Sequence, residues 1–149
     1  MGKEKKYLWG GHLKKITDKS NVTFCSGRDV SKLPMADEVL LPYDIWTNRA
    51  HSIMLNKQGI LKREHLKKIL KGLDVLEKKH DTEEFSLDPD LEDVHSNIES
   101  FITSHYGIDV GGRMHIGRSR NDQSVCDMRL FLRKEAIFSF FSARSIANE

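Results

Sequence analysis

Residues 115–123, HIGRSRNDQ, end in six consecutive polar positions: two arginines, a serine, an asparagine, an aspartate and a glutamine. A double glycine, Gly111 and Gly112, lies just before the stretch, and an apolar, helix-like run follows it. Ser119 followed three residues later by Asp122 has the form of a capping box, with Asp in the position usually held by Glu or Gln. The stretch therefore reads as the mouth of a helix that begins near Arg120 and runs to the end of the chain. Val125, Met128, Leu132 and Ala136 give that helix one stripe; Leu130, Phe131, Ile137, Phe138, Phe140 and Phe141 widen it until apolar residues surround most of it. At 1.5 Å per residue the helix is about 40 Å long. A helix apolar nearly all round has to be buried by other helices. The expected fold class is all-α, with partners for this rod supplied by other subunits or by sequence beyond Glu149.

Three further helices are expected upstream. From about Ala36, Val39, Tyr43, Trp46, Ala50, Ile53 and Leu55 recur at mostly three- and four-residue steps, predicting an amphipathic helix that stops near Gly59. Pro42 either kinks its first turns or marks its true start, because proline lacks the donor a helix interior needs. A second helix is predicted from about Lys62 to Lys79, with Leu66, Ile69, Leu70, Leu73 and Leu76 as its stripe. The acidic loop DTEEFSLDPDLED leads into a third, carrying Val94, Ile98, Phe101, Ile102 and His105 and ending at Gly107. YGIDVGGRMH then reads as a glycine-rich connection, and residues 1–35 as irregular. No strand-like alternation of useful length and no repeats are present.

Composition narrows the function classes. Twenty-four Lys and Arg against 22 Asp and Glu leave a net charge of +2, which argues against a dedicated nucleic-acid binder. The basic run of Lys3, Lys5 and Lys6 reads as a solvated tail. No stretch approaches the length of a membrane span, the opening residues lack the apolar core of a signal peptide, and Cys25 and Cys126 read as reduced thiols. A cytoplasmic protein with no membrane or nucleic-acid partner is expected. The histidines form no HxxxH or other metal-ligand spacing, so neither metal nor cofactor is expected. No nucleophile elbow, P-loop or dinucleotide fingerprint occurs.

The chemistry of the helix mouth follows from its backbone. The first N–H groups of a helix are unpaired, and the macrodipole places partial positive charge there, so anions bind. Arg118 and Arg120 add guanidinium forks suited to carboxylate or phosphate, Asn121 adds an amide, and Gly111, Gly112 and Gly117 let the backbone approach. The same residues also fit a plain capped helix start with two surface arginines, and spacing alone does not choose. A second polar cluster, LEDVHSNIE at 91–99, places Asp93 and His95 two apart, about 200° around a helix, yet near a helix start both can face one cleft.

GRSRNDQ followed by DMRLFLR resembles the fumarase/aspartase superfamily and, within it, the argininosuccinate lyase family. LWGG, YDIWTNRAH with KQGI, LEDVHSNIE and DVGGRMHIGRSRND match that family in order, so the resemblance runs from Leu8 to about Lys134. It implies an N-terminal helical domain over residues 1–115 with an irregular arm, and over 116–149 the start of a central helical-bundle domain. It also implies elimination of fumarate from argininosuccinate to give arginine, within a homotetramer whose active sites gather segments from several subunits. The resemblance implies Arg120 and Asn121 as substrate-binding residues at the helix mouth, with Arg118, Ser119 and Gln123 beside them. Asp93 and His95 belong to the cleft, His95 orienting a catalytic partner, and Ser26 and Asp37 resemble polar positions of the N-terminal arm. Two departures stand out: the spacing around Ser26 differs from the commoner pattern, and Ile116 stands where many members have threonine. The family's signatures with a catalytic histidine and a mobile-loop serine are not found in the 149 residues. The chain is therefore expected to be an N-terminal fragment, holding substrate without turnover. The competing expectation is a helical scaffold or interaction module that binds no substrate.

Overall fold

A computed structural model describes residues 18–27 and 34–147. The LWGG stretch and the N-terminal lysines lie outside the described residues. Among these residues every regular element is a helix, without strands. The order is α1 (Lys19–Cys25), α2 (Leu41–Lys57), α3 (Arg63–Asp81), α4 (Val94–Tyr106), the single turn α5 (Ile108–Gly111) and α6 (Arg120–Ala147), with short 3-10 segments at Glu38–Leu40 and Gly112–His115. No helix among them is long and apolar enough to cross a membrane.

The expected boundaries hold for α3, α4 and α6. α1 was not expected: Asp18 accepts the Ser20 N–H at 2.8 Å and opens a seven-residue helix where turn chemistry pointed to irregular chain. The same short polar side chains serve both purposes, as N-caps or as turn formers. Pro42 lies in the first turn of α2, where its missing N–H has no helical partner to lose, so it marks the helix start. The glycine-rich connection is itself ordered as α5 and a 3-10 turn. Gly107, at φ +87°, adopts the conformation that ends α4 there.

α2, α3 and α4 form the core, with Ile45, Ile69, Leu73, Leu76, Ile98 and Ile102 wholly inaccessible. α3 and α4 approach closely at Gly72. A Cβ there would run into the Ile102 side chain and lie 3.0 Å from the Tyr106 ring.

The face that α2 turns inward is the largest correction. Of the stripe Val39, Tyr43, Trp46, Ala50, Ile53 and Leu55, only Leu55 is buried; Val39 is 54% exposed and Trp46 62%. Asp44, Asn48 and Ser52 are buried instead, alongside Leu41 and Ile45. The inward face of α2 is amphiphilic because it meets a polar surface of α6. α6 rests on α2 and on the 38–40 turn, and its two buried side chains are Gln123 and Asp127. Tyr43 packs edge-on against Phe131 with ring centroids 6.1 Å apart. Beyond that ring, Leu132, Ile137, Phe138, Phe140 and Phe141 are exposed.

Ile98 is 0% exposed at the centre of α4. Truncation to alanine removes its core contacts and leaves a cavity. Ile98→Ala is expected to cost about 3 kcal/mol in chemical denaturation. A loss below about 1 kcal/mol would show that the three-helix core does not carry the fold.

Candidate functional site

The start of α6 is fixed by a reciprocal cap. The Ser119 N–H donates to Asp122 Oδ2 at 2.8 Å, and the Asp122 N–H donates to Ser119 Oγ at 3.3 Å. Gly117, at φ +75°, turns the chain into this cap. The Ile116 carbonyl accepts from His51 Nε2 at 2.9 Å, so the loop is held through its backbone at the position where a threonine hydroxyl is missing. Burial lowers the His51 pKa below its ordinary value.

A cleft of about 510 Å³ opens at this helix mouth, lined by Glu99, Gly112, His115, Arg118, Ser119, Arg120, Asn121 and Gln123. Five of the nine residues anticipated for the site therefore come together in one wall. Arg120 Nη1 donates to both carboxylate oxygens of Asp93, at 2.6 and 2.8 Å. Asp93 in turn caps α4 by accepting the Ser96 N–H at 2.6 Å, so the ion pair ties the mouth of α6 to the mouth of α4. Arg118 donates to Asn48 Oδ1, while its buried Nε has no hydrogen-bond partner. Burial lowers its pKa, opposed by Asp44 and Asp127.

Behind the cleft wall lies a buried polar network centred on Asp44 of α2. Its Oδ1 accepts from Asn48 Nδ2 at 3.0 Å and from Gln123 Nε2 at 3.1 Å; its Oδ2 pairs with His95 Nδ1 at 2.8 Å. The other ring nitrogen of His95 meets Ser124 Oγ at 2.9 Å. Asp127 takes the Thr47 hydroxyl at 2.8 Å on one oxygen; the other is buried without a partner, 3.9 Å from His95 Nδ1. Burial works against the Asp44 carboxylate, but the His95 hydrogen bond and charge hold its pKa below the ordinary value. Burial also opposes the imidazolium of His95, and Asp44, Asp93 and Asp127 outweigh it, raising that pKa. Asp127 absorbs the conflict: burial and the neighbouring Asp44 charge push its pKa up to about 7. Asp44, His95 and Asp127 each bring a ligand-type atom within 4.8 Å of the others, but Asp44 and His95 are already spent on each other.

The remaining anticipated residues lie elsewhere. His95 sits behind the wall rather than in it. Asp37 accepts the Val94 N–H at 2.7 Å, a second cap on α4, and burial raises its pKa. The Ser26 hydroxyl donates to the Thr23 carbonyl of its own helix at 3.0 Å. Sequence reading missed Asp44, Asn48 and Asp127 of the network, and did not single out His115 or Glu99 of the cleft. The available signal was spacing: Asp44 and Asn48 lie four apart on α2, as do Gln123 and Asp127 on α6, so each pair shares one helix face.

The folded chain binds the Asp127 proton more tightly than an unfolded chain, whose carboxyl titrates near 3.8. Asp127 therefore costs stability progressively as pH rises from about 4 to about 7, and the full cost applies above that. Asp127→Asn keeps an acceptor for Thr47 and removes this titration. The variant is expected to be the more stable, by a margin that grows between about pH 5 and about pH 8 to on the order of 2 kcal/mol. Thermal melts showing the same margin at both pH values would refute the raised carboxyl.

Comparison with known proteins places this geometry. A family model described as "Lyase" matches residues 29–139, a span holding the whole cleft wall and the network behind it. The argininosuccinate lyase of Methanocaldococcus jannaschii is 46% identical over 101 residues, 68% of this chain and 21% of that protein. That of Sulfurihydrogenibium sp. is 40% identical over 131 residues, 88% of this chain and 27% of the relative. That of Citrifermentans bemidjiense is 39% identical over 137 residues, 92% and 28% respectively. The chain thus spans about a quarter of the length of the curated relatives it matches. Its all-α fold and its matched span agree: the chain belongs to the lyase family.

Proposed function

We propose that this chain is the substrate-holding, N-terminal part of an argininosuccinate lyase, which eliminates fumarate from argininosuccinate to leave arginine. The observation that carries the reading is the cleft at the mouth of α6, where Arg118, Ser119, Arg120, Asn121 and Gln123 line one wall inside the span matched to the family. The relatives' names supply the substrate.

The chemistry suits the site. Elimination removes a proton next to a carboxylate, which takes up the negative charge as an aci-carboxylate while the guanidinium nitrogen leaves. Donors fixed before the reaction stabilise such a charge best. Here the donors are fixed by the reciprocal cap and by the Arg118–Asn48 and Gln123–Asp44 hydrogen bonds. Asn121 is exposed at the helix mouth, its amide open to a ligand carboxylate. Arg120 serves through Asp93, with which it shares its guanidinium. In this reading residues 1–115 form the helical domain, and 116–149 begin a bundle helix in a cytoplasmic homo-oligomer, a tetramer in the full-length protein.

Titration calorimetry of the 149-residue chain with fumarate and with argininosuccinate tests the proposal. Both are expected to bind in about the millimolar range, and Asn121→Ala is expected to weaken both by about fivefold or more. Absence of heat with either ligand would favour a scaffold that binds no substrate. No fumarate release at catalytic rates is expected. The exposed phenylalanines of α6 form an apolar patch that favours self-association. A stable monomer at high concentration in sedimentation would count against the bundle role.

A further inference from the structure

We infer that Glu99 makes the cleft two-signed, receiving a guanidinium-class cation beside the groups that hold a carboxylate. This rests on the substrate-holding reading of the same cleft and names what that reading left out.

Glu99 lies in the middle of α4 and is, among the described residues, the one carboxylate in the cleft wall. The neighbouring acids are already used. Asp93 accepts from Arg120 and from the Ser96 N–H, Asp122 from Ser119, and Asp44 from Thr47, Asn48, His95 and Gln123. Among the described residues no hydrogen bond reaches either oxygen of Glu99. Its titratable neighbour is His115, whose Nε2 lies 2.9 Å from Oε2 but out of hydrogen-bond alignment. The Glu99 side chain is 13% exposed. A half-withdrawn carboxylate with one poorly aligned histidine beside it keeps acceptor capacity for the donors of a ligand.

In a pocket built only for a dianion this residue would be a defect, because it repels the ligand that Arg118 and Asn121 attract. It makes sense for a ligand carrying both signs. The two oxygens of a carboxylate match the parallel N–H groups of a guanidinium, a pairing that fixes direction as well as charge. The α6 mouth then takes the acidic end of the ligand and Glu99 the guanidinium, so the molecule lies in the cleft in one sense only.

The test is calorimetry on the 149-residue chain and its Glu99→Gln form with three probes: fumarate, argininosuccinate and arginine. The parent is expected to prefer argininosuccinate to fumarate by about tenfold. Glu99→Gln is expected to abolish that preference, weaken arginine, and leave fumarate binding equal or tighter. A preference that survives in Glu99→Gln overturns the inference and leaves the substrate-holding reading intact. So does a parent that binds fumarate and argininosuccinate equally. A parent that binds none of the three overturns the substrate-holding reading itself. If circular dichroism shows that Glu99→Gln does not fold, Glu99→Asp decides: the shortened carboxylate is expected to lower the preference several-fold, and an unchanged preference overturns the inference.

Discussion

Asp44 is the point at which α2, α4 and α6 meet, and the position of the helix mouth depends on it. Its carboxylate is fully inaccessible and takes hydrogen bonds from a residue on each of those helices: Asn48, His95 and Gln123. Asn48 passes the connection on to Arg118. A buried charge is tolerable only when such donors surround it, and removal of one partner leaves the rest uncompensated. α6 has no fully buried apolar side chain to fix it laterally, since Gln123 and Asp127 are its buried residues. Hydrogen bonds have direction where apolar contact has little. The polar network therefore sets the register of α6 against α2, and with it which groups face the cleft.

This arrangement explains what was legible in the chain and what was not. α3 reads correctly because Ile69, Leu73 and Leu76, among its buried residues, are apolar at helical spacing against a lysine-rich outer face. The capping box at Ser119 and Asp122 reads correctly because it depends on local geometry alone. α2 misleads because hydrophobic periodicity assumes that the inward face is the apolar one. Here Asp44, Asn48 and Ser52 point inward, and Val39, Trp46 and Ile53 point out. The helix was legible; its phase was not, because the phase is decided by contacts with α6 some 80 residues away, such as Thr47 with Asp127. Within the site, the wall from Arg118 to Gln123 is contiguous in sequence and stood out at once. Its supports, Asp44, Asn48 and Asp127, are dispersed and became visible only when the helices were assembled.

The charges of the site are graded by depth. At the surface Asp122 is held ionised by the Ser119 hydrogen bonds. Halfway in, Arg120 and Asp93 neutralise one another across two helix starts. In the interior two carboxylates, an imidazole and a guanidinium lie together; His95 lowers the Asp44 pKa, while burial and the Asp44 charge raise that of Asp127. Glu99 stands at the cleft edge of this gradient, its Oε2 2.9 Å from His115 Nε2.

One consequence concerns α6 itself, which is two materials in a single rod. From Arg120 to about Phe131 it is clamped by Asp44, His95 and Tyr43, whereas from Leu132 to Ala147 nearly every side chain faces outward. A helix of that length without tertiary support is marginal in water. Amide protons along α6 should therefore exchange with solvent on two timescales, slowly near Gln123 and rapidly past Leu132. That boundary would mark where the fold's own grip on the helix ends.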